Sequence, residues 1–147
     1  MIALQADLRI AAADAQFGIP AARMGIAYGL QPTEKLVRLV GPARARLMLY
    51  TARRYPAAEA LAMGLVEQVF AAGDVVRECV DLARTIADNA PLSVQASKFT
   101  IEQAQKGAAE RDTAGLEAWT RRCMDSADYR EGRTAFTEKR RPVFTGR

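Results

Sequence analysis

Pro56-Ala57-Ala58-Glu59-Ala60-Leu61-Ala62-Met63-Gly64 runs directly into Leu65-Val66-Glu67-Gln68-Val69-Phe70, and the fold turns on this stretch. Pro56 opens a short helix and Gly64 closes it, while the next six residues alternate imperfectly between apolar and polar, as a strand does. Upstream, Leu8-Arg9-Ile10-Ala11 reads as a short strand and Gln16-Phe17-Gly18 as a second one ending in a turn. Gly18, Pro20, Gly25, Gly29 and Pro32 punctuate residues 18–32 too often for a long helix, which predicts loops with short extended pieces. Pro32 then sits at the first position of a helix whose buried side includes Leu36, Val37, Leu39 and Val40. Gly41-Pro42 stops that helix and opens the next, with Ala43, Leu47, Met48 and Tyr50 on its apolar face.

Downstream of Asp74 the pattern is helical throughout. Val75, Val76, Cys79, Leu82, Ala83 and Ile86 recur at helical spacing, and Pro91 opens a helix carrying Leu92, Phe99 and Ile101. Leu116, Trp119 and Cys123 share a face of the next. Asp125-Ser126 caps a last helix with Asp128 and Glu131 in its opening turns, where acids complement the dipole. The result is a small mixed front, residues 1–73, and an all-helical back, residues 74–147.

The missing residue types exclude whole classes of chemistry. The 147 residues contain no histidine, so imidazole bases, Ser-His-Asp and Cys-His catalysis and histidine-held metals are excluded within this chain. The two cysteines, Cys79 and Cys123, are far apart and fall at apolar helix positions, predicting core roles for both and no thiolate metal site. No glycine-rich phosphate loop of a common type occurs. Nor does any apolar run approach the roughly 20 residues of a membrane span. Residues 1–7 lack the pattern of a secretory signal, which makes the cytoplasm the expected compartment.

The net charge of +4 is concentrated at one end. Residues 1–120 carry 13 basic and 13 acidic side chains, whereas residues 121–147 carry eight and four. Such a tail suits an anion or a solvated helix face, but the interleaved acids argue against a continuous nucleic-acid stripe. Leu8–Ala11 has no hairpin signal beside it, and strands so short rarely stand alone. The expectation is that Met1 begins inside a fold, the rest of the sheet coming from a longer coding region or from another chain.

Ala6-Asp7-Leu8-Arg9-Ile10-Ala11, Ala15-Gln16-Phe17-Gly18-Ile19-Pro20, Met24-Gly25-Ile26, Leu39-Val40-Gly41-Pro42-Ala43 and Ala57–Val66 resemble, in order, the crotonase superfamily of enoyl-CoA hydratases and isomerases. So do Asp128-Tyr129-Arg130-Glu131-Gly132, Ala135-Phe136 and Glu138–Phe144, which extends the resemblance over essentially the whole chain. It implies an α/β crotonase-like fold. Residues 1–73 would be the end of its ββα spiral and residues 74–147 a helical trimerisation region. The function implied is acyl-CoA thioester chemistry by enolate stabilisation. Coenzyme A would arrive with the substrate, with no metal or separate cofactor, in a homo-trimer or homo-hexamer that binds neither nucleic acid nor membrane.

By the same resemblance, the two enolate-stabilising amides belong to a segment of the family upstream of the residues matched here. The two catalytic glutamates of family hydratases align with Met1 and Ala21, and an alternative acid with Gly29, none of which is a carboxylate. No acid occurs between Asp14 and Glu34. Met24-Gly25-Ile26-Ala27-Tyr28 is similar to the family's decarboxylase branch, where a tyrosine at the place of Tyr28 contacts the substrate carboxylate. Ala21 and Met24 would contact the substrate. Phe136 and Lys139, three apart and so expected on one helix face, would reach the coenzyme A of a neighbouring subunit. The competing expectation is a non-catalytic remnant acting as an oligomerisation module.

Overall fold

The computed structural model describes residues 2–147, with side chains from Ala3 onward. The chain forms two compact units, Met1–Val80 and Asp81–Arg147.

The first unit is organised by α1, Leu30–Thr51, which breaks at Gly41 as Gly41-Pro42 predicts. Proline in a helix interior removes a donor and its ring crowds the carbonyl four residues back. Gly41 absorbs the conflict at φ 78° and ψ 162°, a conformation open to glycine. Leu36, Val40, Ala45 and Met48 recur at three- to five-residue spacing across the break and are all buried. They pack with Tyr55, Ala57, Ala60, Leu65 and Val66 into one core. Here α2, Ala57–Ala62, presents methyl groups alone: Ala57 and Ala60 are fully buried, letting its backbone lie close to its neighbours.

Two small sheets flank this core. Strand β1, Ile10–Ala12, runs parallel to β4, Gln68–Phe70, with Ile10, Ala11 and Ala12 opposite Gln68, Val69 and Phe70. Strand β2, Gln16–Phe17, pairs antiparallel with β3, Tyr55–Pro56. Arg9 fastens β1 to the segment entering β4. Its guanidinium donates to Leu65 O at 2.9 Å and Ala6 O at 2.7 Å and pairs with the Glu67 carboxylate, with only 9% of its side chain exposed.

Several expectations need correction. Leu8–Ala11 does not lack a partner within the chain: Ile10–Ala12 pairs along one edge with β4. Parallel strands need a long crossover, so no hairpin signal lies beside either one. Residues 20–24 form a 3-10 helix instead of extended pieces, with Pro20 at its start. Cys79 is exposed on α3, Val75–Ala87, and is not a core residue, while Cys123 is half-buried. The apolar stripe of α3 is present in the sequence, yet Val76, Val80 and Ile86 are also exposed. A helical period locates a face without showing what covers it.

In the second unit, α4 (Pro91–Ala104) lies against α5 (Thr113–Met124), with the Phe99 and Trp119 ring centroids 6.4 Å apart. Buried Gln103 holds the connection, its Oε1 accepting from Asp112 N and Lys106 Nζ, each at 3.0 Å. Asp112 caps α5 through Gly115 N. Ser126 caps α6, Ala127–Glu138, through Tyr129 N, as the sequence predicts. Among the described residues no helix is long and apolar enough to cross a membrane.

Candidate functional site

Ala21, Met24 and Tyr28 lie on one segment of the first unit, ahead of α1. The 3-10 helix Pro20–Met24 ends at Gly25, whose φ of 66° turns the chain and lets its N–H reach Ala21 O. Ala21 is buried at 6% exposure and Met24 is 65% exposed. Tyr28 is half-buried, and desolvation raises its phenol above the ordinary pKa of 10.0, so it stays a hydrogen-bond donor at neutral pH. Gly29 caps α1, accepting from Thr33 N and from Thr33 Oγ1 at 2.8 Å. The segment presents a methyl group, a thioether and a phenol, and no carboxylate. Met1 lies outside the described residues.

Phe136 and Lys139 belong to the second unit. Phe136 is 87% exposed on the last turn of α6. Lys139 is not on the helix face with it. It is the residue after the helix, in the left-handed conformation at φ 54° and ψ 38°, its N–H turned back to Ala135 O and Phe136 O. Lys139 is exposed and makes no ion pair among the described residues. A groove of about 660 Å³ along α6 is lined by Cys123, Met124, Tyr129, Arg133, Phe136 and Phe144, and Lys139 is not part of its lining. The Arg133 guanidinium sits 5.7 Å from the Tyr129 ring centroid. The groove thus sets aromatic rings and the Arg133 guanidinium along α6.

Residues 140–147, which the residue pattern leaves without a structural role, strap back along α6. Arg140 forks onto Glu131 (Nη1 to Oε1 2.6 Å, Nη2 to Oε2 2.8 Å) and also donates from Nε to Glu138. Val143 N donates to Glu131 as well, at 2.9 Å. The Arg140 fork and then the Val143 amide hold the Glu131 carboxyl down at about 2, and the Glu131 and then the Glu138 carboxylate push the Arg140 guanidinium up. One turn earlier, Asp128 is 3% exposed and accepts from Thr145 N at 2.7 Å and Gly146 N at 2.8 Å. Arg147 O closes the strap by accepting from Ala127 N and Asp128 N. In the sequence, Asp128 and Glu131 look like dipole-complementing acids. Their spacing of three before a basic run is the signal that could have paired them with the tail.

The family model for enoyl-CoA hydratase/isomerase matches residues 1–147. The chain belongs to the enoyl-CoA hydratase/isomerase family. It is 37% identical over 145 residues to Bacillus subtilis YngF, described as an enoyl-CoA hydratase/isomerase, covering 99% of this chain and 56% of that protein. To the short-chain-enoyl-CoA hydratase of Clostridium acetobutylicum it is 34% identical, with coverages of 95% and 54%. A crystal structure of a protein assigned to this family from Hyphomonas neptunium superposes at a TM-score of 0.90 and 31% identity, over 98% of this chain and 55% of that one. This family member therefore spans about half the length of these relatives. Its fold is the crotonase-like α/β fold that the resemblance implies, a short mixed section followed by helices.

Proposed function

We propose that the chain holds an acyl-CoA thioester for enolate-type chemistry and does not itself supply the acids of a hydratase. Family membership across all 147 residues is the observation that carries this reading. Phe136 offers an exposed ring for the nucleotide end, and Lys139 an exposed ammonium, without an ion pair among the described residues, for a phosphate. The resemblance makes this a contact to a neighbouring subunit of a homo-trimer or homo-hexamer, in the cytoplasm. Ala21 and Met24 would face the acyl side. The two backbone N–H groups that take up enolate charge, usually the largest catalytic contribution in such sites, are not among the residues matched here. Coenzyme A enters with the substrate, and no metal is needed for this charge stabilisation.

Calorimetric titration of the chain with coenzyme A and with 3′-dephospho-coenzyme A tests the reading. Lys139→Ala is expected to weaken coenzyme A by about tenfold, the size of one charge-assisted hydrogen bond, and to leave the dephospho form little changed. Equal affinities for coenzyme A in the two proteins would refute it.

A second reading is favoured by Tyr28. A half-buried phenol kept protonated beside a loop without acids can donate to a substrate carboxylate. In a carboxyacyl-CoA, the carbon–carbon bond to that carboxylate would break. Carbon dioxide leaves, the electron pair stays on the thioester as an enolate, and a proton is then taken up at the α-carbon.

A further inference from the structure

We propose that Glu131 and Asp128 are positioning residues: by clamping residues 140–147 onto α6 they hold Lys139 in the turn that presents its ammonium. The inference deepens the reading of Lys139 as a phosphate contact and rests on it.

Helices commonly end on a left-handed residue, and glycine usually fills that place because a Cβ is disfavoured there. Here the place is filled by Lys139. Glycine would adopt the turn at less cost but could not offer a cation. A lysine in this conformation persists only where the surroundings over-determine it.

The over-determination is visible. Lys139 N and Arg140 N both turn back onto Ala135 and Phe136 carbonyls, which starts the reversal. Arg140 then reaches back nine positions to fork onto Glu131, whose Oε1 also receives Val143 N. Asp128 takes two further amides, Thr145 N and Gly146 N, from a buried carboxylate. Two acids three residues apart on α6 therefore anchor the chain on the far side of Lys139 at successive points. Arg140 is satisfied by Glu131 and Glu138, so its charge is turned toward the helix while that of Lys139 is left outward. Side-chain entropy favours the free lysine wandering, and a fixed backbone beneath it reduces what is lost when a phosphate is met.

The experiment is a double-mutant cycle read by coenzyme A affinity in the full chain. In the wild-type background Lys139→Ala should cost about tenfold. In a folded Glu131→Gln background, the same change should cost less than about twofold, because the ammonium is no longer held in place. A residue that merely stabilises the unit would lower the melting temperature and leave the Lys139 effect at its full size. That outcome overturns the positioning role alone. If Glu131→Gln does not fold, Arg140→Lys decides instead: it keeps the charge, loses the fork, and should shrink the Lys139 effect in the same way. No Lys139 effect in the wild-type background refutes the phosphate reading and this inference together.

Discussion

Replacing Gly115 by alanine sets helix propensity against packing, and the distances decide the winner. Gly115 lies in the first turn of α5, where alanine would by propensity alone gain up to about 1 kcal/mol. A Cβ there would come 2.4 Å from Asp112 Oδ2 and 2.8 Å from Phe99 Cζ. The first approach displaces the carboxylate that caps α5 through Gly115 N, and a lost cap costs about 1 kcal/mol. The second pushes Phe99 against Trp119, and overpacking of this kind costs about 1–3 kcal/mol. The net is a loss of about 2 kcal/mol, or a fall of about 4–8 °C in melting temperature for a chain of this length. Urea and thermal unfolding followed by circular dichroism would measure it. Adding Asp112→Ala should make the pair less than additive, since the closest clash is then gone. A Gly115→Ala protein as stable as the wild type, or more so, would refute the reasoning.

Three further outcomes follow from the same geometry. Glu131 has a folded pKa lowered to about 2 from an ordinary 4.5, so the clamp stabilises the fold above about pH 4.5 and loses that contribution as pH falls toward 2. Carboxyl-carbon NMR of Glu131 should titrate near 2, and a midpoint near 4.5 would contradict the clamp. Arg9→Met leaves Leu65 O and Ala6 O without their donor and should cost about 2–3 kcal/mol in urea unfolding, with partly exposed Glu67 recovering water. A loss below about 0.5 kcal/mol would show that β1 is held by backbone pairing alone. Tyr28→Phe, in an assembly that turns over a carboxyacyl-CoA, should lower the rate by about tenfold through loss of one hydrogen bond. Unchanged turnover would remove Tyr28 from the site.

What could be read from the residues was local. The Gly41-Pro42 break, the Ser126 cap and the short helix from Pro56 to Gly64 each depend on a few neighbours, and the structure bears them out. What escaped depends on contacts between distant residues. The pairing of Ile10 with Gln68 spans an entire crossover, and β3 is only the two residues Tyr55 and Pro56. Cys79 illustrates the opposite error: its helical period is real, but no local pattern shows whether a face is covered. In the candidate site, the resemblance singles out Phe136 and Lys139 as coenzyme A contacts, an expectation that stays a proposal, and it does not point to the strap. Glu131 and Arg140 are nine positions apart, a spacing that no helix pattern pairs, because Lys139 reverses the chain between them.

The proposed function has this chain hold a thioester without the carboxylates that add water to it. By the family resemblance Ala21 would stand where one acid is expected, and no acid occurs between Asp14 and Glu34. The direct measurement is the absorbance of the conjugated thioester of crotonyl-CoA mixed with the purified chain. Crotonyl-CoA is expected to bind by calorimetry while its absorbance stays constant. A sustained, enzyme-dependent loss of that absorbance would contradict it.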